Sequence, residues 1–302
     1  MRAIVTGAGG FVGHHLLDHL TAAGDDVIAT DRAQGGPDIT DAAALDELFS
    51  GSGAEVVYHL AGQADVAASW NDPTGTFRAN GEGTVAVLAA AAAAGVERVL
   101  VVSSAEVYGI VVPEQMPITE QAPLDPASPY AASKAAAEMA AIQWAKRGLG
   151  VVRARAFNHL GPGQSERFVA PALAGRLVRA ASAGDRSISV GNLDARRDFT
   201  DVRDVVRAYR LLALQGQAGA AYNVCSGVDH AIADIAAMVL ERTDPSIELL
   251  PDPDLQRPSD LPVLRGDNAA TAAATGWTPE IPLSATLDDV VSAARTALTS
   301  AP

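Results

Sequence analysis

Tyr130 and Lys134 stand four residues apart in Ser128-Pro129-Tyr130-Ala131-Ala132-Ser133-Lys134, and Ser103-Ser104 lie upstream of them. Helical residues at i and i+4 share a face. A lysine ammonium on that face favours a neighbouring phenolate, so the spacing predicts a Tyr130 pKa drawn from about 10 toward neutrality. Such a phenol gives a proton to a carbonyl oxygen or takes one from an alcohol. Ser104 is placed to hydrogen-bond that same oxygen. Taken alone, Tyr-x-x-x-Lys also fits an ordinary amphipathic helix.

A second signature lies at the start of the chain, in Thr6-Gly7-Ala8-Gly9-Gly10-Phe11-Val12-Gly13. It follows an apolar run and opens a helical pattern. Gly7 lets the chain turn, Gly10 lets backbone approach a pyrophosphate, and Gly13 allows close helix–strand packing. Phe11 and Val12 begin the helix whose N-terminus faces the anion. A glycine triplet by itself also fits a plain tight turn. Asp31 closes the second apolar run, where an acid accepts ribose hydroxyls and repels a 2′-phosphate. That favours NAD, while Arg32 beside it leaves NADP open. Asp38-Ile39 suits an adenine, or is an ordinary loop acid. A hydride carrier and a proton donor together make a carbonyl–alcohol exchange.

The elements that must carry these residues alternate. Short apolar runs at Ala3–Thr6, Val27–Thr30, Val56–Leu60, Arg98–Ser103 and Val151–Ala156 read as strands. Phe11–Ala23, Thr84–Ala94 and Tyr130–Arg147 read as helices, ending near Gly24, Gly95 and Gly148. The expected fold is α/β, a doubly wound parallel sheet with a smaller, mostly C-terminal lobe. Residues 1–157 and roughly 191–229 are expected to form the dinucleotide-binding domain, with the helix near Val202–Leu214 and the strand Ala221–Val224 returning to the main sheet. Roughly 158–190 and 230–302 form the lobe. The proline-rich segment Ile110–Pro129 reads as a long ordered loop bordering the site.

Composition sets limits. The 302 residues are 48% hydrophobic, enough for a large core. A net charge of -14 argues against nucleic acid as a partner. Met1–Thr6 reads as a strand entering the glycine turn, with no charged-then-apolar leader, and no apolar run suggests a membrane span. Cys225 is the only cysteine, which fits a reducing compartment. A cytoplasmic protein is expected. Only Lys134 and Lys146 are lysines among 22 basic residues, yet one falls where this chemistry needs it. His15 and His19 share i,i+4 spacing without a third ligand, so no metal site is expected. Trp70, Trp144 and Trp277 read as packing residues.

The chain resembles the extended short-chain dehydrogenase/reductases, nearly end to end. The resemblance rests on His59-Leu60-Ala61-Gly62-Gln63, on Ser103-Ser104-Ala105-Glu106-Val107-Tyr108-Gly109, and on Phe157-Asn158-His159-Leu160-Gly161-Pro162-Gly163-Gln164. Val190–Asp194, Arg196–Asp204, Tyr222–Gly227 and Arg257-Pro258-Ser259-Asp260 extend it. It implies that Leu60, Ala61 and Gly62 border the nicotinamide and that Asn158 contacts the substrate. It further implies that Arg197 and Arg257 hold a diphosphate, where the bland alternative is a surface ion pair. The pieces are most similar to the branch that reduces GDP-4-keto-6-deoxy-D-mannose to GDP-D-rhamnose. The implied reaction is NAD(P)H-dependent reduction at C4 of a nucleotide-linked 4-keto-6-deoxy sugar. Two alternatives stay open: a 4-epimerase or 4,6-dehydratase that keeps NAD bound, and a non-catalytic dinucleotide sensor. Dehydratases of the family use a glutamate at Glu106 as a base, but reductases carry it too, so both roles stay open. A homodimer, through Val85–Ala94 and Ala131–Ala145, is a family expectation; packing of these helices within one chain is the alternative.

Overall fold

The computed structural model describes residues 1–252, 255 and 262–300. The chain opens with β1 (Arg2–Thr6), α1 (Phe11–Ala22), β2 (Asp26–Thr30), α2 (Ala42–Phe49) and β3 (Val56–His59). Two short helices, α3 (Val66–Asn71) and α4 (Pro73–Phe77), run through a π-helical turn at Arg78–Glu82 into α5 (Gly83–Ala93). Next come β4 (Arg98–Ser104), α6 (Pro129–Lys146) and β5 (Gly150–Ala156). Beyond β5 lie β6 (Asn158–Leu160), α7 (Val169–Ala183), β7 (Ser187–Val190), β8 (Arg196–Asp201), α8 (Val202–Gln215) and β9 (Ala221–Val224). The chain closes with β10 (Asp229–Ala231), α9 (Ile232–Arg242), β11 (Glu248–Pro251), β12 (Val263–Leu264), α10 (Ala269–Thr275) and α11 (Leu283–Ser300).

Among the described residues the main sheet has the order β2-β1-β3-β4-β5-β9, and every neighbouring pair is parallel. Both faces are covered, so its strands carry Val, Ile and Leu on both sides. Leu16 and Leu20 of α1 and Val205, Tyr209 and Leu212 of α8 pack one face. Leu45 of α2, Leu88 of α5 and Ala141 of α6 pack the other. The connections change direction between β1 and β3, and ligands of open α/β sheets sit at the carboxyl ends of the strands flanking such a point.

A separate core lies among α7, α9 and α11, with Leu177, Ile235, Val239 and Leu287 fully buried. Around it run a smaller sheet, β10-β8-β12 with β6 beside β8, and the pair β11-β7. Ala195 and Phe199 pack into this second core, whereas Val202 and Val205 pack into the first. The chain therefore changes over where β8 meets α8. Asp201 ties that junction: it caps α8 through the Arg203 amide, 2.8 Å away, and accepts from Thr286 Oγ1 of α11 at 2.7 Å.

The tryptophans divide. Trp277 is fully buried, its indole nitrogen donating to the Asp204 carbonyl at 2.9 Å. Trp144 is half-buried beneath the Arg147 guanidinium, 4.2 Å from the ring centre. Trp70 departs from its packing assignment and is 56% exposed, because short α3 turns Ser69 inward instead. Among the described residues no helix is long and apolar enough to cross a membrane.

Candidate active site

The glycine turn has the shape of a dinucleotide cradle. Gly7 has a φ of 73°, and a side chain there would place its first carbon 2.7 Å from the Ala61 amide nitrogen. At Gly13 that carbon would lie 2.4 Å from the Gly7 carbonyl oxygen. Gly10 differs: its nearest neighbour would be the Gly7 oxygen at 3.3 Å, so it opens on space rather than on protein. It is also the N-cap of α1, with no side chain capping it, so the first amides of Phe11 and Val12 are left for an anion. This fits a pyrophosphate.

Asp31 holds the turn together. One carboxylate oxygen accepts from the Gly9 amide at 3.1 Å, the other from the Ala33 amide at 2.8 Å. Arg32 does not stand alone, since its guanidinium meets Asp38 at 3.0 Å. Asp38 also accepts from the Thr40 amide and hydroxyl, and these bonds, with Arg32, hold its carboxyl below the ordinary value. Ile39 packs under the start of α5.

At the crevice between β1 and β3 a chain of hydrogen bonds fixes Leu60, Ala61 and Gly62. The Thr84 hydroxyl donates to the Asn80 carbonyl at 2.5 Å, so Thr84 accepts from His59 Nε2 at 3.1 Å. His59 Nδ1 then accepts from the Thr6 hydroxyl at 2.8 Å, and Thr6 in turn accepts from the Ala61 amide at 3.3 Å. Burial pushes His59 down to about 3, with Lys134 adding to the effect, so the ring is neutral as this chain requires. Leu60 donates its amide to Thr6, and a side chain at Gly62 would run into Asn80.

Ser104, Tyr130 and Lys134 lie close to one another at the carboxyl end of β4. Tyr130 enters α6 in its first turn, its amide donating to Ser69 Oγ at 3.2 Å, and its phenol lies close enough to the Ser104 hydroxyl to be stabilised by it as a phenolate. Ser104 ends β4, and its hydroxyl accepts from the Glu106 amide at 3.2 Å. Lys134 is buried and donates to the Val102 carbonyl at 3.0 Å.

The electrostatics correct one expectation. Tyr130 is not drawn toward neutrality: burial pushes it up to about 12, the nearby Ser104 hydroxyl offsets only part of this, and the Glu106 charge adds to it. Lys134 itself falls to about 8 through burial. Desolvation outweighs the i,i+4 pairing because both groups sit inside the protein. The phenol is therefore protonated at neutral pH, the state in which it can donate a proton.

Glu106 lies on the turn Ala105–Tyr108 that follows Ser104. Asn158 stands two residues past Ala156, which pairs with Ser104 across β4 and β5. It leads into a cavity of about 350 Å³ beneath the smaller lobe, lined also by His159, Gln164, Arg176, Asn192 and Arg197. Arg197 thus lines this cavity. Arg257 lies outside the described residues. His15 binds the Pro162 carbonyl at 3.0 Å and meets the Phe11 ring edge-on.

Asn80 escaped the sequence reading. It sits in the π-helical turn, a feature common at functional sites. Its amide accepts from the Gln63 amide at 2.8 Å and donates to Ser133 Oγ at 2.8 Å, joining the loop after β3 to α6. The available signal was Asn80-Gly81-Glu82-Gly83-Thr84, whose glycines interrupt a helical pattern.

Known proteins share this fold and much of this sequence. The chain is 37% identical to a GDP-6-deoxy-D-mannose reductase of Pseudomonas aeruginosa, over 96% of each protein. It is 32% identical to a UDP-glucose 4-epimerase of Mycolicibacterium smegmatis, over 94% of this chain and 95% of that one. The solved structure of RMD from Pseudomonas aeruginosa complexed with NADPH superposes with a TM-score of 0.89 at 36% identity, covering 98% of this chain and 99% of that one. The model of the NAD dependent epimerase/dehydratase family matches residues 3–225, and the chain belongs to that family.

Proposed function

We propose that the protein is an NAD(P)H-dependent reductase acting on C4 of a nucleotide-linked 4-keto-6-deoxy sugar. Its substrate on this reading is GDP-4-keto-6-deoxy-D-mannose and its product GDP-D-rhamnose. The observation that carries the reaction type is the buried Ser104–Tyr130 pair, with the phenol in its protonated form. The likeness to the Pseudomonas aeruginosa reductase supports the choice of sugar.

The bound dinucleotide supplies hydride; Gly7, Gly10, Phe11, Val12 and Gly13 hold its pyrophosphate and Asp31 its ribose. Asp38 and Ile39 border the adenine, and Leu60, Ala61 and Gly62 border the nicotinamide. Ser104 holds the keto oxygen, and the proton on the Tyr130 hydroxyl passes to it. Lys134 supplies positive charge nearby as the phenolate forms. Asn158 and Arg197 hold the sugar nucleotide in the lobe cavity, with Arg257 assigned the same task. Fork-shaped guanidinium groups suit phosphate oxygens.

The two cores support a division into a dinucleotide-binding part, 1–157 with roughly 191–229, and a sugar-nucleotide lobe, roughly 158–190 with 230–302. The change-over inside 191–229 falls at the β8–α8 junction. Exposed Phe77, Val85 and Met139 on α4, α5 and α6 support a homodimer through these helices. A lone buried cysteine fits a cytoplasmic setting.

The second reading is a 4-epimerase or 4,6-dehydratase. Glu106 favours it, because a carboxylate near enough to raise the Tyr130 pKa is a candidate base. A panel of keto sugar nucleotides, followed at the nicotinamide absorbance with NADH and with NADPH, separates the two. A reductase consumes reduced dinucleotide mole for mole with keto sugar. No net consumption with any keto sugar, while a 4-hydroxy sugar nucleotide added to the same panel is isomerised or dehydrated, sinks the reductase reading.

A further inference from the structure

Glu138 follows Tyr130 and Lys134 at the next i+4 step, on the same stripe of α6. Its carboxylate is fully buried. One oxygen accepts from Ser103 Oγ at 2.6 Å and from Arg155 Nε at 2.8 Å. The other accepts from Arg153 Nη1 at 2.8 Å and from Arg155 Nη2 at 2.7 Å. Burial works against the charge, but Arg155, Ser103 and Arg153 outweigh it and hold the carboxyl below its ordinary value. Arg155 reaches onward, donating to the Tyr108 hydroxyl at 2.9 Å, and Tyr108 donates to Asn223 at 2.7 Å.

Stability is a poor account of such a cluster. Buried ion pairs seldom stabilise more than well-packed apolar residues would, because desolvation consumes most of the attraction. Position gives a better account. Two consecutive residues of β4 are bonded to α6, the Val102 carbonyl to Lys134 and the Ser103 hydroxyl to Glu138, and the next residue, Ser104, lies beside the Tyr130 phenol. Tyr108, at the far end of the turn that carries Glu106, is held by the same carboxylate through Arg155.

We propose that Glu138 is a positioning residue. By gripping Ser103 directly and Tyr108 through Arg155, it fixes Ser104 and the Glu106 turn against Tyr130 and Lys134. This rests on the assignment of Ser104, Tyr130 and Lys134 as the reacting groups.

The test uses Ser103→Ala, which removes one hydrogen bond and uncovers no charge, beside Glu138→Gln and Tyr108→Phe. Turnover is measured with the keto sugar nucleotide and NAD(P)H. In parallel, the protein is labelled with carbon-13 at the lysine ε position. With only two lysines, the signal surviving Lys146→Arg belongs to Lys134. The expected result in Ser103→Ala is kcat lowered about tenfold, with KM for sugar and cofactor within about twofold, since an interaction felt in the transition state is lost. The Lys134 signal moves as well. Tyr108→Phe gives a smaller effect of the same kind, and Glu138→Gln a larger one. A Ser103→Ala enzyme with kcat within about twofold of the parent and an unmoved Lys134 signal overturns the proposal, whatever its melting temperature. If the parent protein reduces no keto sugar, the proposed function fails, and the Lys134 signal alone decides the positioning claim.

Discussion

The Lys134 nitrogen lies 6.0 Å from the ring centre of Tyr130 and donates instead to the Val102 carbonyl, 3.0 Å away. The two side chains therefore lie near one another without a hydrogen bond between them. Tyr130 near 12 keeps its proton across the working range, while Lys134 near 8 does not keep its own. Above about pH 8 the ammonium that offsets a forming phenolate is lost. The kcat/KM profile for reduction is expected to fall above about 8 rather than above about 12, since this ratio reports groups of the free enzyme. A profile flat to pH 10 would remove Lys134 from the chemistry.

Replacing Tyr130 by Phe deletes the proposed proton donor and little else, since the ring stays buried. Turnover is expected to drop at least about a hundredfold, the usual scale of general acid catalysis. Dinucleotide binding, read by quenching of protein fluorescence, is expected to change less than about threefold, well under 1 kcal/mol. Surviving turnover would assign the proton to another group.

The glycines of the turn are separable. Gly13→Ala forces a carbon to within 2.4 Å of a backbone oxygen and is expected to destabilise the fold by about 1–3 kcal/mol. Gly10→Ala meets nothing closer than 3.3 Å, so its melting temperature stays near the parent's. Its dinucleotide affinity is nevertheless expected to fall about tenfold or more, because the added methyl occupies space opened for the pyrophosphate. Equal affinity in Gly10→Ala and the parent would move the pyrophosphate elsewhere.

Asp38→Asn keeps an oxygen for Thr40 but releases Arg32. The ion pair is exposed, with Arg32 at 79% and Asp38 at 41%, so the effect is small. The kcat/KM ratio of NADPH to NADH is expected to rise about two- to fivefold. An unchanged or lower ratio would mean that Arg32 does not face the 2′-phosphate.

His59 sets an acid limit. Its folded pKa of about 3 lies below its ordinary 6.5, so the unfolded chain binds the extra proton between these values. Its contribution is complete above about 6.5 and is lost as pH falls toward 3. Between about pH 6 and pH 4 the parent is expected to lose about 2 kcal/mol more stability than His59→Gln, measured by urea unfolding. Parallel losses in the two proteins would contradict a neutral, buried ring.

The sequence carries the main sheet well, because a strand covered on both faces has to be apolar throughout and its run of Val and Ile ends where the strand ends. Ala3–Thr6 was legible for that reason. The smaller lobe was not: β6, β7, β10 and β12 are short, and their partners lie far along the chain. Ser104, Tyr130 and Lys134 were visible because helix spacing alone puts the last two together. Glu138 sits on the same stripe, yet its partners Ser103, Arg153 and Arg155 arrive from two strands, and an alanine-rich helix gives no pattern that marks it. The rise in the Tyr130 pKa was invisible for a related reason: spacing reports a neighbour, while desolvation depends on everything packed around it.

Because Val102 and Ser103 are each fastened to a different side chain of one helix, β4 and α6 cannot slip past one another without breaking both bonds at once. On the proposed function, the reacting end of the protein is in that sense a fixed tool. New sugars would be accommodated by reshaping the walls around Asn158 and Arg197, on the other core, so that substrate range can drift across generations while the proton-handling end stands still.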